Sequence, residues 1–365
     1  MIINILNYDL SRLGLIGSYE SISFTRHHYK VGEFQIVVDV DVKDTHLLQR
    51  GTLIMIGNNK RKIGIITDLE INLTNDGKEL KTVKGKTLGN ILNNFNIIPN
   101  GVAYDQVEDY AESVMRHYVS SNMTKSVDPN RNINILKMTD DKKKGTIVRW
   151  QSRYKKVKEE IEQIAELYEL GWEIVADFDK GIWLFDVYQG EDRTINQDIN
   201  EPVIFSPKYG NIKGMRYVES ENNERNFAYV AGEGEGANRR IYEIGNSTGI
   251  DRKEIFLEIN PSDEQYYDIP DLGQRTLNEY ISTTSFESEI IDTNMFQFER
   301  DYDLGDKVTV KNEKWGVQKD LRIVTVNEVF EKHSQKVYAT FGDRIPSLVD
   351  KVKRDLKIFE PYTKK

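Results

Sequence analysis

The chain has 365 residues, 30% charged and 38% hydrophobic, with a formal charge of −9 and no cysteine. Aromatic and β-branched residues are too frequent for intrinsic disorder, the length predicts two or three domains, and the missing cysteines exclude a disulfide framework, a thiolate metal site and a cysteine nucleophile. The acidic balance argues against a broad phosphate-binding surface, and the chain has neither a basic leader nor a run of about 18 apolar residues, so neither secretion by signal nor a membrane span is expected.

Residues 1–90 predict a small antiparallel β domain. Phe34, Ile36, Val38, Val40 and Val42 alternate with Gln35, Asp39 and Asp41 as in a half-buried strand. Thr52–Ile56 and Lys62–Leu73 continue the pattern, and Asn75-Asp76-Gly77 predicts a tight turn into Glu79–Val83. Residues 91–200 then change period. Val107, Tyr110, Ala111, Val114 and Tyr118 recur at helical spacing, as do Val157, Ile161, Ile164 and Tyr168, with Gly171 placed to end the second helix. A hairpin from Trp172 to Tyr188 turning at Asp179-Lys180-Gly181 completes an α+β insert, which also holds a polar loop from Ser126 to Gly145.

Residues 201–345 return to strands, at Ile212–Glu219, Phe227–Ala231, Arg240–Ile244, Ile255–Ile259, Phe286–Ile291, Lys307–Val310, Leu321–Phe330 and Lys336–Phe341. A helix is expected within Pro270–Ser282, and another over Ser347–Phe359 in a helical tail, residues 346–365, with Leu348, Val352 and Leu356 on one face.

The two β regions resemble each other. Gly51-Thr52-Leu53-Ile54-Met55-Ile56 with Ile65-Ile66-Thr67-Asp68-Leu69-Glu70-Ile71 parallels Gly305-Asp306-Lys307-Val308-Thr309-Val310 with Ile323-Val324-Thr325-Val326-Asn327-Glu328-Val329. Gly51 matches Gly305 at an offset of 254, Thr67 matches Thr325 and Glu70 matches Glu328 at 258, and Gly85 matches Gly342 at 257. The reading is a duplicated barrel with an insert between the copies. Two like barrels on one chain let three subunits close a six-unit ring, because a repeated heterologous contact generates a closed cycle.

On these residues the chain resembles the baseplate hub, or tail-associated, proteins of long-tailed phages, prophages and phage-tail-like bacteriocins. The resemblance covers most of the chain. It rests on Gly51–Ile54 with Gly64–Asp68 and Lys84-Gly85, on Ala231–Gly236 leading to Arg239-Arg240, and on Tyr302–Val308 leading to Arg322-Ile323. It implies a virion structural protein, assembled in the bacterial host cytoplasm: a homotrimer whose paired barrels form a pseudo-six-fold torus and symmetry adaptor. Such a ring joins the tail tube protein to the spike or tail-tip protein among other baseplate proteins, and passes the tape-measure protein and, transiently, DNA. Because the chain stops at Lys365, any lytic or receptor-binding activity is expected on a separate protein.

The chemical motifs give no rival of equal weight. Gly232-Glu233-Gly234-Glu235-Gly236 lacks the helix and the Lys-Ser/Thr of a phosphate loop and predicts a flexible turn. His27 and His28 are adjacent and face opposite ways on an extended segment, while His46, His117 and His333 lack ligand spacing, so no metal or cofactor is expected. Glu159, Glu160, Glu162, Glu166 and Glu169 predict a solvated helix face beside Lys155, Lys156 and Lys158. Asp39 and Asp41 share a strand face about 7 Å apart, near a glycosidase separation, and are assigned instead to an acidic lumen face that repels phosphate. Trp172 and Trp183 are expected in the core with Trp150 left open, and Trp315 is expected exposed at a protein contact. The expectation is an α+β, mainly β, non-enzymatic tail hub; a tail-associated cell-wall hydrolase and a glycan- or receptor-binding tail-tip module are the alternatives.

Overall fold

In the computed structural model, residues 1–232, 234–258, 269–278, 280–291 and 296–342 are described. The expected helix over Ser347–Phe359, with its tail, lies outside them, as do Ile259 and Glu233. Contacts divide the chain into two units, Met1–Met215 with Glu287–Phe341, and a second one containing Arg216–Phe286. These bounds differ from 1–90, 91–200 and 201–345, since the first unit gathers residues from all three segments.

The strands of the first unit begin with β1 (Ile3–Leu6), β2 (Arg12–Ile16), β3 (Ser21–His27), β4 (Glu33–Asp39), β5 (Leu53–Ile56), β6 (Ile63–Leu73) and β7 (Glu79–Thr87). Alternation does what the sequence predicts: Phe34, Ile36 and Val38 of β4 are buried, and Ile22 and Phe24 of β3 meet them with Val83 of β7 in one core. Phe34 stacks on Phe24 with centroids 6.1 Å apart. Gly85 has to be glycine for this packing, as a Cβ there would stand 2.3 Å from the Phe34 ring.

Next come β8 (Asp105–Tyr110), α1 (Ala111–Val119), β9 (Leu136–Met138), β10 (Ile147–Ser152), α2 (Val157–Leu167), β11 (Gly171–Asp177) and β12 (Ile182–Tyr188). The apolar faces of α1 and α2 close over a core that includes Trp172, Trp183 and Phe185. Two expectations need correction here. Val107 and Tyr110 belong to β8, which pairs with β10, so the first helix starts only at Ala111. The second helix is ended by Glu169 at φ 52, not by Gly171, which opens β11.

The later strands are β13 (Asp192–Arg193), β14 (Ile204–Phe205), β15 (Ile212–Ser220), β16 (Phe227–Ala231), β17 (Ile241–Ile244) and β18 (Glu254–Glu258); then come α3 (Ile269–Asn278), β19 (Thr283–Ile290), β20 (Lys307–Asn312), β21 (Val317–Glu331) and β22 (Ser334–Gly342). In the second unit, β16 lies between β17, antiparallel, and β18, parallel. Ile269 and Leu277 of α3 pack with Val230 and Ile244. Gly273 permits this approach, since a Cβ there would stand 2.3 Å from Ile244 Cδ1.

The α+β, mainly β class stands, and no closed barrel is found among the described residues. One hydrogen-bonded path runs β15-β19-β22-β21-β3-β4-β7-β6-β5-β1-β2, with β20 attached at β21 and β13 and β14 attached at β20, and among the described residues it does not close on itself. Alternation identifies a strand's buried face but is silent on its partner, and the partner of β3 lies some 300 positions further along the chain.

Candidate functional site

The β21–β3 pairing is the seam at which the late strands meet the early ones. Seven residue pairs form it, from Thr325 opposite His27 to Glu331 opposite Ser21. On its polar face Ser23 Oγ donates to Asn327 Oδ1 (2.9 Å), and the His27 ring lies 2.9 Å from Thr325 Oγ1. On its buried face Phe330 stands opposite Ile22 and joins the core of β3 and β4.

The same backbone device leads into β6 and β21. Gly51 (φ 86) donates its N–H to the Ile66 carbonyl (2.8 Å), and Ile66 donates back to Thr52 (3.0 Å). Gly305 (φ 95) donates to the Ile323 carbonyl (2.8 Å), and Ile323 donates back to Asp306 (2.8 Å). Each long strand then carries a bulge, at Thr67 against β7 and at Val324 against β22. By hydrogen bonding, therefore, Ile66 matches Ile323 at an offset of 257, one short of the Thr67–Thr325 and Glu70–Glu328 matches read from the sequence. The difference matters because a one-residue slip exchanges the two faces. At 257, Leu69, Ile71 and Leu73 match Val326, Glu328 and Phe330, all on the core side; on the paired strands the offset is 256, Gly85 opposite Ile66 matching Phe341 opposite Ile323, and Gly342 (φ 80) follows Phe341.

Beyond the bulges the two strands part. The outer half of β21 is covered by β3, whereas residues 68–73 of β6 pair with β7 alone among the described residues. Thr67 and Glu70 are exposed, with Thr67 Oγ1 on Asp68 and Glu70 accepting from Asn72. Ile71 and Leu73 are 61% and 71% exposed, and Phe330, the match of Leu73, is 2% exposed.

An ionic network backs the seam, with Lys62, Arg26 and Glu328 buried and its other members partly open to solvent. Lys62 Nζ lies 2.6 Å from Glu328 and 3.3 Å from Glu299; Arg26 reaches Glu299 (2.6 Å); Arg61 holds Asp303 (2.6 Å) and Glu173 (3.0 Å). Burial pushes the carboxyls of Glu328 and Glu173 up, against the pull of Lys62 and Arg61 respectively. Burial also acts upward on Glu299, where Arg26 and Lys62 prevail and hold it below the usual range. The neighbouring cavity, bordered by Arg26, His27, Arg61, Glu173 and Tyr188, has a volume of about 30 Å³. That is room for one or two waters, not for a sugar ring.

His28 follows β3 and closes the seam's end. Its N–H donates to the Val324 carbonyl at the bulge (2.9 Å). Its ring is wedged between glycines, since a Cβ on Gly171 or Gly305 would stand 2.5 or 2.6 Å from it, and Tyr29 and Tyr188 flank it. Neither ring nitrogen has a hydrogen-bond partner. Burial, aided by the Arg322 charge and opposed by Glu169, lowers its pKa to about 3. Adjacency to His27 says nothing of this role; the glycines that accommodate the ring are distant in sequence.

The remaining residues fall as follows. β4 ends at Asp39, whose carboxylate accepts the Asp41 N–H (2.9 Å), so Asp41 lies in a turn and not on the strand face. Glu160 is corrected from solvated to buried, its carboxylate taking the Trp150 indole N–H (2.5 Å) and Lys155 (2.9 Å). Glu162 accepts the Val31 N–H, and Glu169 pairs with Arg322 and Lys307. Trp172 and Trp183 are buried and Trp315 is half exposed. Among the described residues no His, Asp and Glu cluster could hold a metal ion, and no helix is long and apolar enough to cross a membrane.

A family model described as Siphovirus ReqiPepy6 Gp37-like protein matches residues 2–343. The fold is similar to that of the prophage MuSo2 43 kDa tail protein from Shewanella oneidensis (TM-score 0.60, 11% identity, 93% of this chain and 98% of that one). It is also similar to the tail protein of Neisseria meningitidis MC58 (TM-score 0.57, 11% identity, 93% and 96%) and to prophage tail protein gp18 of Listeria monocytogenes EGD-e (TM-score 0.56, 11% identity, 98% and 99%). No curated protein matches the sequence.

Proposed function

The chain belongs to the Siphovirus ReqiPepy6 Gp37-like protein family and has the fold of prophage tail proteins, and from that premise we propose that it is the structural hub of a phage tail, a trimeric, non-enzymatic ring between tail tube and spike. The observation that carries this reading is the seam. The sheet path contains the four-strand run β15-β19-β22-β21 followed by β3-β4-β7-β6, and β21 and β6 share their entry glycines, return hydrogen bonds and bulges. The two runs are then repeats of one module, with β21–β3 the join between them.

Among the described residues this join leaves the two corresponding edges unpaired at the ends of the run, the outer half of β6 and the free side of β15. Joining β6 of one copy to β15 of the next repeats the internal contact, and three copies close a ring of six modules. The polar face of the sheet, with Ser23, Thr25, Gln35 and Asn327, would line its channel for the tape measure and DNA. Asp39 and Asp41 belong in this reading to the point where β4 leaves that face. The tail tube protein and the spike are the partners on the two sides, and the cavity beside Arg26 lends no support to a hydrolase.

The test is mass in solution by light scattering, alone and with neighbouring tail proteins co-expressed, followed by averaging of particles in the electron microscope. Three chain masses of 42.4 kDa each and a six-lobed ring are expected. A monomer in both samples overturns the proposal.

A further inference from the structure

We infer that Leu73, with Ile71 beside it, is the anchor by which one copy of this chain enters the next; this rests on the ring proposed above. The hydrogen-bonded offset of 257 places Leu73 where β21 carries Phe330, and Ile71 where it carries Glu328. Within the chain, Phe330 stands opposite Ile22 and is buried to 2% in the core of β3 and β4. Leu73 has the same backbone position, the same facing and an apolar side chain, and is 71% exposed.

The strip continues the core. Val83 and Leu69, at the base of the β6–β7 hairpin, pack with Ile66 and Val38, and the same face runs outward through Ile71 to Leu73. The opposite face of β6 carries Asp68, Glu70 and Asn72, as an unburied face does. Alternation kept up along a half-strand that no strand but β7 flanks among the described residues, with Ile71 and Leu73 61% and 71% exposed, points to a cover from outside. The occupant follows from the chain itself: the one place where this strand type is covered, β21, is covered by a strand of the same module family. The partner is accordingly a second copy, in a head-to-tail contact.

Leu73→Asp places a charge at this anchor and, at an exposed position, leaves the fold of the single copy intact. Sedimentation over a concentration series should show wild type as trimer and Leu73→Asp as monomer, its association weakened at least about 30-fold, the scale of a binding hot spot. Circular dichroism and the melting of the single copy should be unchanged. Val127→Asp, at a comparably exposed apolar position (76%) in the first unit, should stay trimeric. If wild type and Leu73→Asp are both trimers, the ring stands and the anchor is overturned. If Val127→Asp dissociates as well, the effect belongs to added charge and the anchor is again overturned. A wild type that is monomeric throughout, alone and with the tail proteins, removes the ring and the anchor with it.

Discussion

β21 and β6 are entered by the same glycine device and bent by the same bulge, yet one half-strand is buried and the other bare. The outer half of β21 has strands on both edges, β22 and β3, and sets Val326 and Phe330 into a core. The outer half of β6 has β7 on one edge, and Ile71 and Leu73 meet solvent. Backbone chemistry is the same in both, so the difference lies in cover alone. What it teaches is that two half-strands entered by the same backbone geometry can carry apolar side chains on the same face, and that burial depends on whether a strand lies on the second edge.

The largest effect should come from cutting the covered side. Phe330→Ala removes a fully packed ring and should cost about 4 kcal/mol of unfolding free energy in a urea titration of the single copy. A loss below about 1 kcal/mol would mean that β3 covers β21 without packing on it, and the contrast with β6 would fail.

Slightly smaller is the effect of the ion pair behind the seam. Lys62 links the start of β6 to Glu328 of β21, and Glu328 is the match of exposed Ile71. Lys62→Ala leaves Glu328 buried beside another carboxylate, Glu299, and should destabilise by about 3 kcal/mol. The double variant Lys62→Met with Glu328→Leu should recover most of this, because an apolar pair avoids the desolvation that two buried charges carry. Calorimetric melts of the two variants decide it: a double variant as unstable as the single one would show that the charges hold the register of the seam and not merely their own pairing.

The sequence displayed the strands and concealed their partners. Phe34, Ile36 and Val38 announce β4 because burial on one face imposes a period of two, and Val157, Ile161 and Ile164 announce α2 for the corresponding reason. Nothing local in Ser21–His27 names β21, since pairing depends on where the rest of the chain has gone. Val107 and Tyr110 fit a helical period by accident of spacing, and a ladder with β10 overrode it. Gly51 and Gly305 were legible as equivalents because a positive φ demands glycine. The match of Thr67 with Thr325 followed side-chain identity, whereas the bulges align by backbone hydrogen bonds, one residue away. Glu160 and His28 were illegible as buried groups, as it takes Trp150 in one case and three-dimensional glycine contacts in the other to make their burial tolerable.

The smallest expected effect, and the most specific to the covered edge, is the pH dependence carried by His28. The matching bulge at Thr67 has no such residue docked on it among the described partners, whereas His28 ties the end of β3 to the Val324 carbonyl. Its folded pKa of about 3 lies below its ordinary value of 6.5 because the buried ring resists charging. The unfolded chain takes up the proton first as the pH falls, so the stability contributed by the neutral ring is complete above about pH 6.5 and declines between there and pH 3. The slope is about 1.4 kcal/mol per pH unit, which amounts to about 2 kcal/mol between pH 6.5 and pH 5. His28→Phe keeps a flat ring between Gly171 and Gly305 without the titrating nitrogens. Urea melts of both proteins from pH 7.5 to 5 should show wild type losing that amount relative to the variant, the carboxylates common to both cancelling in the difference. Equal slopes in the two proteins would mean that water reaches the ring, and that the covered seam is open at its end.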